Sequence, residues 1–144
     1  AMGNGMPIGG IWAKKEVAAV FKPGDHGSTF SGTAIATSAA RATIKEMQRL
    51  NAPQMAVDKG ALLTSLVQAI PQVVSVRGRG LLLGVELADG IDAKDIQLQL
   101  LKNGLVTNAV TGTALRLAPP LTVTPDEIRE AVAIIAAVLK GVQS

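Results

Sequence analysis

All three aromatic residues of the chain, Trp12, Phe21 and Phe30, lie within its first thirty residues. From Ser31 onward, any interior must therefore be built from aliphatic side chains and alanine. With 144 residues, 48% of them apolar, the chain can form one ordinary hydrophobic core or two small ones. The uneven placement of the aromatic residues favours two regions of different origin.

Missing residue types exclude several kinds of site. The chain has no Cys, which rules out disulfide bonds, thiolate metal ligands and a cysteine nucleophile. His26 is the single histidine, so a zinc site would need several carboxylates beside it. We therefore predict no metal site.

The charged residues are scattered along the chain. A net charge of +3 arises from 14 basic and 11 acidic residues, whereas nucleic-acid-binding proteins usually gather positive charge on one face or arm. The longest apolar run, Ala131 to Leu139, is about half of a membrane span. We predict neither a nucleic acid nor a membrane as partner.

Loop signals and two helices dominate the first half of the chain. The predicted elements are a glycine-rich loop at 1–10, a short strand at 8–13, a helix at 15–21, a polar loop at 25–32, and helices at 33–50 and 53–69. The apolar positions of the first long helix are Ile35, Ala39, Ala42 and Met47. Those of the second are Leu62, Leu63, Leu66, Val67 and Ile70.

The second half alternates strands and helices. The predicted elements are strands at 73–76 and 81–87, a helix from Asp92 to Gly104, strands at 105–110 and 114–117, and a last helix after Thr124. The last helix begins with a capping box, because Thr124 is followed by Pro125 and, three residues on, by Glu127. Its buried positions are Ile128, Val132, Ile135 and Leu139. The order predicts an α+β layer of helices on a mainly antiparallel sheet.

Two loops could bind an anion. Glycines in the segment 3–10 would allow a close approach to a phosphate, but this segment lacks the context of a dinucleotide fingerprint, and a plain loop is the commoner explanation. In the segment 26–32 (HGSTFSG), Ser28 and Thr29 could bind an anion, or they could satisfy amides of a capping loop. His26 is a candidate general base without a partner to orient it.

Arginines at two other places are candidate anion ligands. Arg77 and Arg79, separated by Gly78, could clamp a carboxylate or phosphate, or they could be solvated residues of a tight connection. Arg116 has apolar neighbours and precedes a double proline, so we expect it to be partly desolvated and to need a carboxylate partner. That partner could be a structural glutamate or a substrate.

Four segments in this order resemble one family closely. They are GNGMPIGG, KPGDHGSTFSG, VRGRGLLLGVEL and ALRLAPPLTVTPDEI. They resemble the C-terminal part of class III aminotransferases, the pyridoxal 5'-phosphate enzymes of fold type I, and among these acetylornithine and related ω-amino acid aminotransferases. The resemblance implies a mixed α/β and α+β fragment. Residues 1–53 would be the tail of the large cofactor-binding domain, and 54–144 the small C-terminal α+β domain with a mainly antiparallel sheet.

The resemblance also implies roles for single residues. Thr29 would contact the phosphate of the cofactor bound by the other subunit of a homodimer, Ser28 would lie at the substrate, and Arg116 would receive a substrate carboxylate. Gly78 and Gly80 match a structural turn. One departure concerns Ser31-Gly32-Thr33-Ala34, where the family usually has GGNP. The absence of this Asn and Pro changes the start of the next helix. It affects what the resemblance implies about substrate preference more than what it implies about the cofactor.

The family's Schiff-base lysine would immediately precede Ala1, so no catalytic residue is assigned within the chain. We expect the 144 residues alone to be inactive. The resemblance implies, for the whole enzyme, transfer of the ω-amino group of N-acetylornithine to 2-oxoglutarate in arginine biosynthesis, in the cytoplasm. The alternatives are another ω-aminotransferase, acting on ornithine, succinylornithine or 4-aminobutyrate, and a non-catalytic α+β interaction module.

Overall fold

The computed structural model describes residues 2–142, and the chain divides into two compact units between Asn51 and Ala52. Within the described residues, no helix is long and apolar enough to cross a membrane. The domain boundary between residues 53 and 54 stays a prediction.

The first unit holds a glycine-rich loop and two helices, α1 (Lys15–Ala18) and α2 (Ala34–Arg49). Helix α1 is shorter than predicted, because turn-type hydrogen bonds at Val20 and Phe21 follow it instead of further helical bonds. The strand predicted at 8–13 is wrong. These residues are irregular, and among the described residues they have no strand to pair with.

Helix α2 confirms the predicted element but not its predicted apolar face. Thr33 caps it by accepting a hydrogen bond from the backbone N–H of Ala36 at 3.4 Å. Its buried residues are Ala36 and Ala40, whereas Ile35 is 69% exposed. Helical spacing indicates which side chains can share a face, but burial also requires an element that covers this face.

The second unit confirms the predicted order of helices and strands. Its elements are α3 (Ala52–Gln68), β1 (Val73–Arg79), β2 (Leu82–Leu87), α4 (Ala93–Lys102), β3 (Asn108–Ala109), β4 (Ala114–Leu117) and α5 (Pro125–Lys140). The four strands form one antiparallel sheet in the order β1-β2-β4-β3. The predicted mainly antiparallel sheet is therefore confirmed.

Helices cover one face of this sheet. Helices α3 and α4 pack against the strands, and α5 packs across both helices. The strand residues on this face are buried, among them Leu83, Val85 and Leu117, and they alternate with more exposed residues on the other face. The sheet thus has one covered face and one open face, which is common for antiparallel sheets.

Local signals set most ends of these elements. Asp92 and Thr124 cap α4 and α5 as predicted, and Thr124 forms the full capping box with Glu127. Gly104 has the left-handed backbone conformation (φ 86°) that was expected after α4. Strand β3 (Asn108–Ala109) is shorter than the predicted strand at 105–110, and at its predicted start the N–H of Leu105 donates to the carbonyl of Leu100 at the end of α4.

The hairpin between β1 and β2 packs closely against α3. Its two-residue connection is Gly80-Leu81, so Gly78 belongs to β1 instead of the predicted turn. A Cβ atom added to Gly60 in α3 would lie 2.2 Å from the carbonyl oxygen of Gly80. Only glycine at position 60 therefore permits this approach between helix and hairpin.

Candidate functional site

The loop with Ser28 and Thr29 belongs to the first unit and is exposed throughout. It follows a turn in which the N–H of Lys22 donates to the Asp25 carboxylate at 2.7 Å. The rings of Phe21 and His26 lie 5.4 Å apart between centroids. These contacts order the start of the loop, while Phe30 is 84% exposed at its far end.

Neither hydroxyl of this loop caps helix α2, because Thr33 does so. Within the described residues, the side chains of Ser28 and Thr29 take part in no hydrogen bond, and the backbone N–H of Thr29 has no backbone acceptor. The capping-loop interpretation of these two residues is therefore wrong. Two hydroxyls and an amide donor face solvent, which is a donor set that suits a phosphate or carboxylate.

The glycine-rich loop forms a tight turn. Asn4 and Gly5 both have positive φ (46° and 104°), and the N–H of Met6 donates to the carbonyl of Gly3 at 3.1 Å. A Cβ atom at Gly3 would lie 2.4 Å from the Met6 carbonyl oxygen. The need for glycine at position 3 is thus explained by the turn itself, in agreement with the plain-loop interpretation.

Arg116 lies in the second unit, on the open face of the sheet. It alternates along β4 with the buried residues Leu115 and Leu117, so its side chain is exposed and not partly desolvated as predicted. The hydroxyl of Thr107 donates to its carbonyl oxygen at 2.8 Å. Among residues 2–142, no carboxylate forms a salt bridge with Arg116.

A cavity of about 390 Å³ lies beside Arg116. Its walls are mostly apolar and come from α3, α5 and the segment after β4, with Pro119, Pro120 and Ile135 among the lining residues. The Nζ of Lys59 donates to the carbonyl oxygen of Leu121 at 2.7 Å and so ties this segment to α3. Arg116 is therefore followed by a stretch that both prolines and a hydrogen bond restrain.

Arg77 and Glu86 form an ion pair on the same open face. The Nη1 atom of Arg77 donates to Oε2 of Glu86 at 2.9 Å, and the hydroxyl of Thr113 donates to Oε1. Hydrogen bonds from Thr113 and Arg77 lower the pKa of the Glu86 carboxyl. Arg79 forms no salt bridge within the described residues, so Arg77 alone of these two arginines pairs with a carboxylate there.

The sequence matches a known family over nearly its whole length. The family model described as "Aminotransferase class-III" matches residues 1–139. The chain belongs to the class III aminotransferases. Their cofactor is pyridoxal 5'-phosphate, and the exposed donors of Ser28 and Thr29 are groups that can bind its phosphate.

Individual class III aminotransferases are similar to the chain in sequence and structure. It is 42% identical to the acetylornithine aminotransferase of Corynebacterium efficiens over 96% of its own length and 34% of that protein. It is 43% identical to that of Bacillus subtilis, over 91% of its length and 34% of that protein. The ornithine aminotransferase structure from Toxoplasma gondii matches with a TM-score of 0.77 and 32% identity, covering 89% of the chain and 32% of that structure. The chain thus spans about a third of the length of the relatives it matches, and the predicted fold class is confirmed.

The sequence did not identify Thr107, Thr113 and Glu86 as neighbours of Arg116 or Arg77. Thr107 contacts the backbone of Arg116, whereas Thr113 and Glu86 join Arg77 in a polar cluster. The alternation of exposed residues in 82–87 and 114–117 indicates which residues share a face, but it does not show which strands are neighbours. Those contacts depend on the strand order.

Proposed function

We propose that the chain is the C-terminal part of an aminotransferase that moves the ω-amino group of N-acetylornithine to 2-oxoglutarate, a step of arginine biosynthesis in the cytoplasm. The observation that carries this proposal is that Arg116 is exposed and has no internal salt bridge among residues 2–142. The two relatives named acetylornithine aminotransferase support the choice of substrate.

Arg116 binds a carboxylate of the amino or keto acid in this proposal. A guanidinium group can form two parallel hydrogen bonds with a carboxylate, and it stays charged at every physiological pH. The segment Ala118–Leu121, which follows Arg116, is restrained by two prolines and by the hydrogen bond from Lys59. The Thr107 hydroxyl donates a hydrogen bond to the carbonyl oxygen of Arg116. These contacts fix the backbone from which the side chain reaches the substrate.

Ser28 and Thr29 contact the cofactor and the substrate in this proposal. Thr29 donates from its hydroxyl and backbone N–H to the cofactor phosphate of the second subunit in a homodimer, and Ser28 contacts substrate. When bound, pyridoxal phosphate supplies an electron sink for the charge that develops as a substrate C–H bond breaks. Residues 1–53 belong to the large domain and 54–144 to the small domain. The 144 residues alone are inactive, because none of their lysines matches the family's cofactor-binding lysine.

Kinetics of the full-length enzyme test the role of Arg116. We expect Arg116→Gln to raise the KM for 2-oxoglutarate by about ten- to a hundredfold, because a charged hydrogen-bond partner is lost. Arg79→Gln is the matched control, since Arg79 is also an exposed arginine on the open face of the sheet. Equal KM values for the two variants would refute the role of Arg116.

A second experiment tests the cofactor contact. We expect Thr29→Val to raise the pyridoxal phosphate concentration needed for half-saturation, measured by the cofactor's absorbance in the full-length protein. Thr33→Val is a control, because Thr33 caps α2 by a hydrogen bond. Absence of any pyridoxal absorbance in the full-length protein would instead favour the non-catalytic interaction module.

Ornithine is the alternative amino donor, because the structure named ornithine aminotransferase matches with a TM-score of 0.77. Rates of the full-length enzyme with N-acetylornithine, ornithine, succinylornithine and 4-aminobutyrate discriminate these substrates. We expect the largest kcat/KM for N-acetylornithine. A larger value for one of the other three would change the substrate but not the class.

A further inference from the structure

We propose that Arg77 and Thr113 hold the Glu86 carboxylate away from Arg116, so that Arg116 stays available for a substrate carboxylate. This inference rests on the role of Arg116 in the proposed function. It adds positioning residues to that role, because Arg77 and Thr113 act through Glu86 and not by contact with the substrate. All of these residues lie in the second unit.

The strand register makes Glu86 a neighbour of two arginines. Gly84 in β2 pairs with Arg77 of β1 on one side and with Arg116 of β4 on the other. Glu86 lies two residues further along β2 on the same face, so it is a diagonal neighbour of both arginines. Diagonal neighbours in an antiparallel sheet are within reach of long side chains. Glu86 could therefore pair with either arginine.

In the structure, Glu86 pairs with Arg77. One carboxylate oxygen accepts from Nη1 of Arg77 at 2.9 Å, and the other accepts from the Thr113 hydroxyl. Both oxygens are thus engaged, one by Arg77 of β1 and the other by Thr113, which directly precedes β4. Within the described residues, Arg116 has no salt bridge.

Gly84 provides the space for this arrangement. A Cβ atom at position 84 would lie 3.5 Å from Cγ and 3.7 Å from Nε of Arg77, which are ordinary contact distances. The Arg77 side chain therefore lies across position 84 on its way to Glu86. A side chain longer than alanine at this position would displace Arg77 from that path.

Loss of Arg77 would leave Glu86 with Arg116 as the remaining arginine within diagonal reach. The Glu86 carboxylate would then compete with a substrate carboxylate for the same guanidinium. Exposed ion pairs are weak, so we expect this internal competition to weaken substrate binding by about two- to fivefold. The side chain of Glu86 is 26% exposed, so solvent reaches this pair.

A first experiment observes the exchange of partners without any substrate. The pKa of Glu86 is measured by carboxyl ¹³C NMR in the 144-residue chain and in its variants Arg77→Gln and Arg77→Gln/Arg116→Gln. We expect a low pKa in the parent chain, a small rise in the single variant, and a larger rise in the double variant, because Arg116 replaces Arg77 only in the single one. Equal pKa values in the two variants would overturn the proposal.

A second experiment measures the consequence for the full-length enzyme. We expect Arg77→Gln to raise the KM for 2-oxoglutarate about two- to fivefold with kcat nearly unchanged, and Arg77→Gln/Glu86→Gln to return it to the parent value. Arg77→Lys, which keeps the positive charge, should retain most of the parent affinity. Arg79→Gln serves as the control for general loss of charge on this face.

The outcomes separate this inference from the proposed function. If Arg116→Gln leaves the KM unchanged, the proposed function of Arg116 fails, while the NMR titration still decides whether Arg77 holds Glu86. If Arg116→Gln raises the KM but Arg77→Gln does not, the proposed function stands and the positioning role of Arg77 is refuted. A raised KM that Glu86→Gln does not restore also refutes it.

Discussion

The two units of the chain differ in how far their large apolar side chains are buried. In the first unit, Ile11, Trp12 and Phe30 are between 84% and 88% exposed. In the second unit, Leu100 and Leu115 are completely buried within one continuous cluster. Hydrophobicity of a side chain therefore does not decide its burial, because burial needs other elements that cover it.

The second unit has such elements within its own sequence. Its buried cluster runs from Leu63 to Leu139 and is built from helices and sheet of this unit alone. Among the described residues of the first unit, the buried hydrophobic ones are Ala36 and Ala40, both small. We infer that the second unit supplies most of the chain's stability, and the following predictions test this difference.

A matched pair of isoleucines gives the largest expected contrast. Ile135→Ala in α5 should lower the free energy of unfolding by about 2–5 kcal/mol, because it leaves a cavity in the buried cluster. Ile35→Ala in the first unit should change it by no more than about 0.5 kcal/mol, since Ile35 is 69% exposed. Urea unfolding followed by circular dichroism measures both. Similar losses would contradict the inferred difference between the units.

Glycine substitutions sharpen the same comparison. Gly60→Ala should cost about 1–2 kcal/mol, because its Cβ would meet the Gly80 carbonyl oxygen at 2.2 Å, although alanine favours the helix. Gly9→Ala in the first unit should cost less than about 0.5 kcal/mol, since no atom lies within 4 Å of the added carbon. Thermal unfolding compares the two variants. A stabilised Gly60→Ala variant would show that α3 and the hairpin can move apart without loss.

The two threonine caps should differ less. Thr124→Ala removes a full capping box from α5 and should cost about 1–2 kcal/mol. Thr33→Ala removes a single hydrogen bond of 3.4 Å from α2 and should cost about 0.5 kcal/mol. Urea unfolding of both variants checks this order. The reverse order would mean that α2 contributes more to stability than its few buried residues indicate.

The smallest expected effect concerns pH. Hydrogen bonds from the Thr124 backbone and hydroxyl lower the pKa of the Glu127 carboxyl, so its stabilising effect is present above the ordinary glutamate pKa and is lost as the pH falls through the lowered value. Glu127→Gln should therefore lose less stability on acidification than the parent chain.

In the first unit, Arg49 lowers the pKa of the exposed Glu46 within one helix turn. Salt should weaken this effect of a charged group more than it weakens the effect of Thr124 on Glu127. Unfolding at several pH values, with and without salt, tests both expectations. Identical acid profiles of Glu127→Gln and the parent chain would contradict the first of them.

Sequence patterns predicted the second unit much better than the first. The capping residues Asp92 and Thr124 and the pattern of the strand residues correctly predicted the elements from β1 to α5, because these signals act within a few residues. The predicted strand at 8–13 and the apolar face with Ile35 were wrong, because both required partners that the pattern itself does not contain.

The same limit applies to the candidate site. The HGSTF and ALRLAPPL segments indicated the family and pointed to Thr29 and Arg116. No local pattern showed that Arg116 and Glu86 are diagonal neighbours. This relation exists because β4 pairs with β2 in one particular register.

By itself, the sequence determined the helix caps, the aliphatic composition of the second core and membership of the class III aminotransferases. Only the tertiary structure decided that Glu86 lies between Arg77 and Arg116 and pairs with the first. The physical reason is that capping and alternation are short-range, whereas strand order and register arise from contacts between residues distant in the chain.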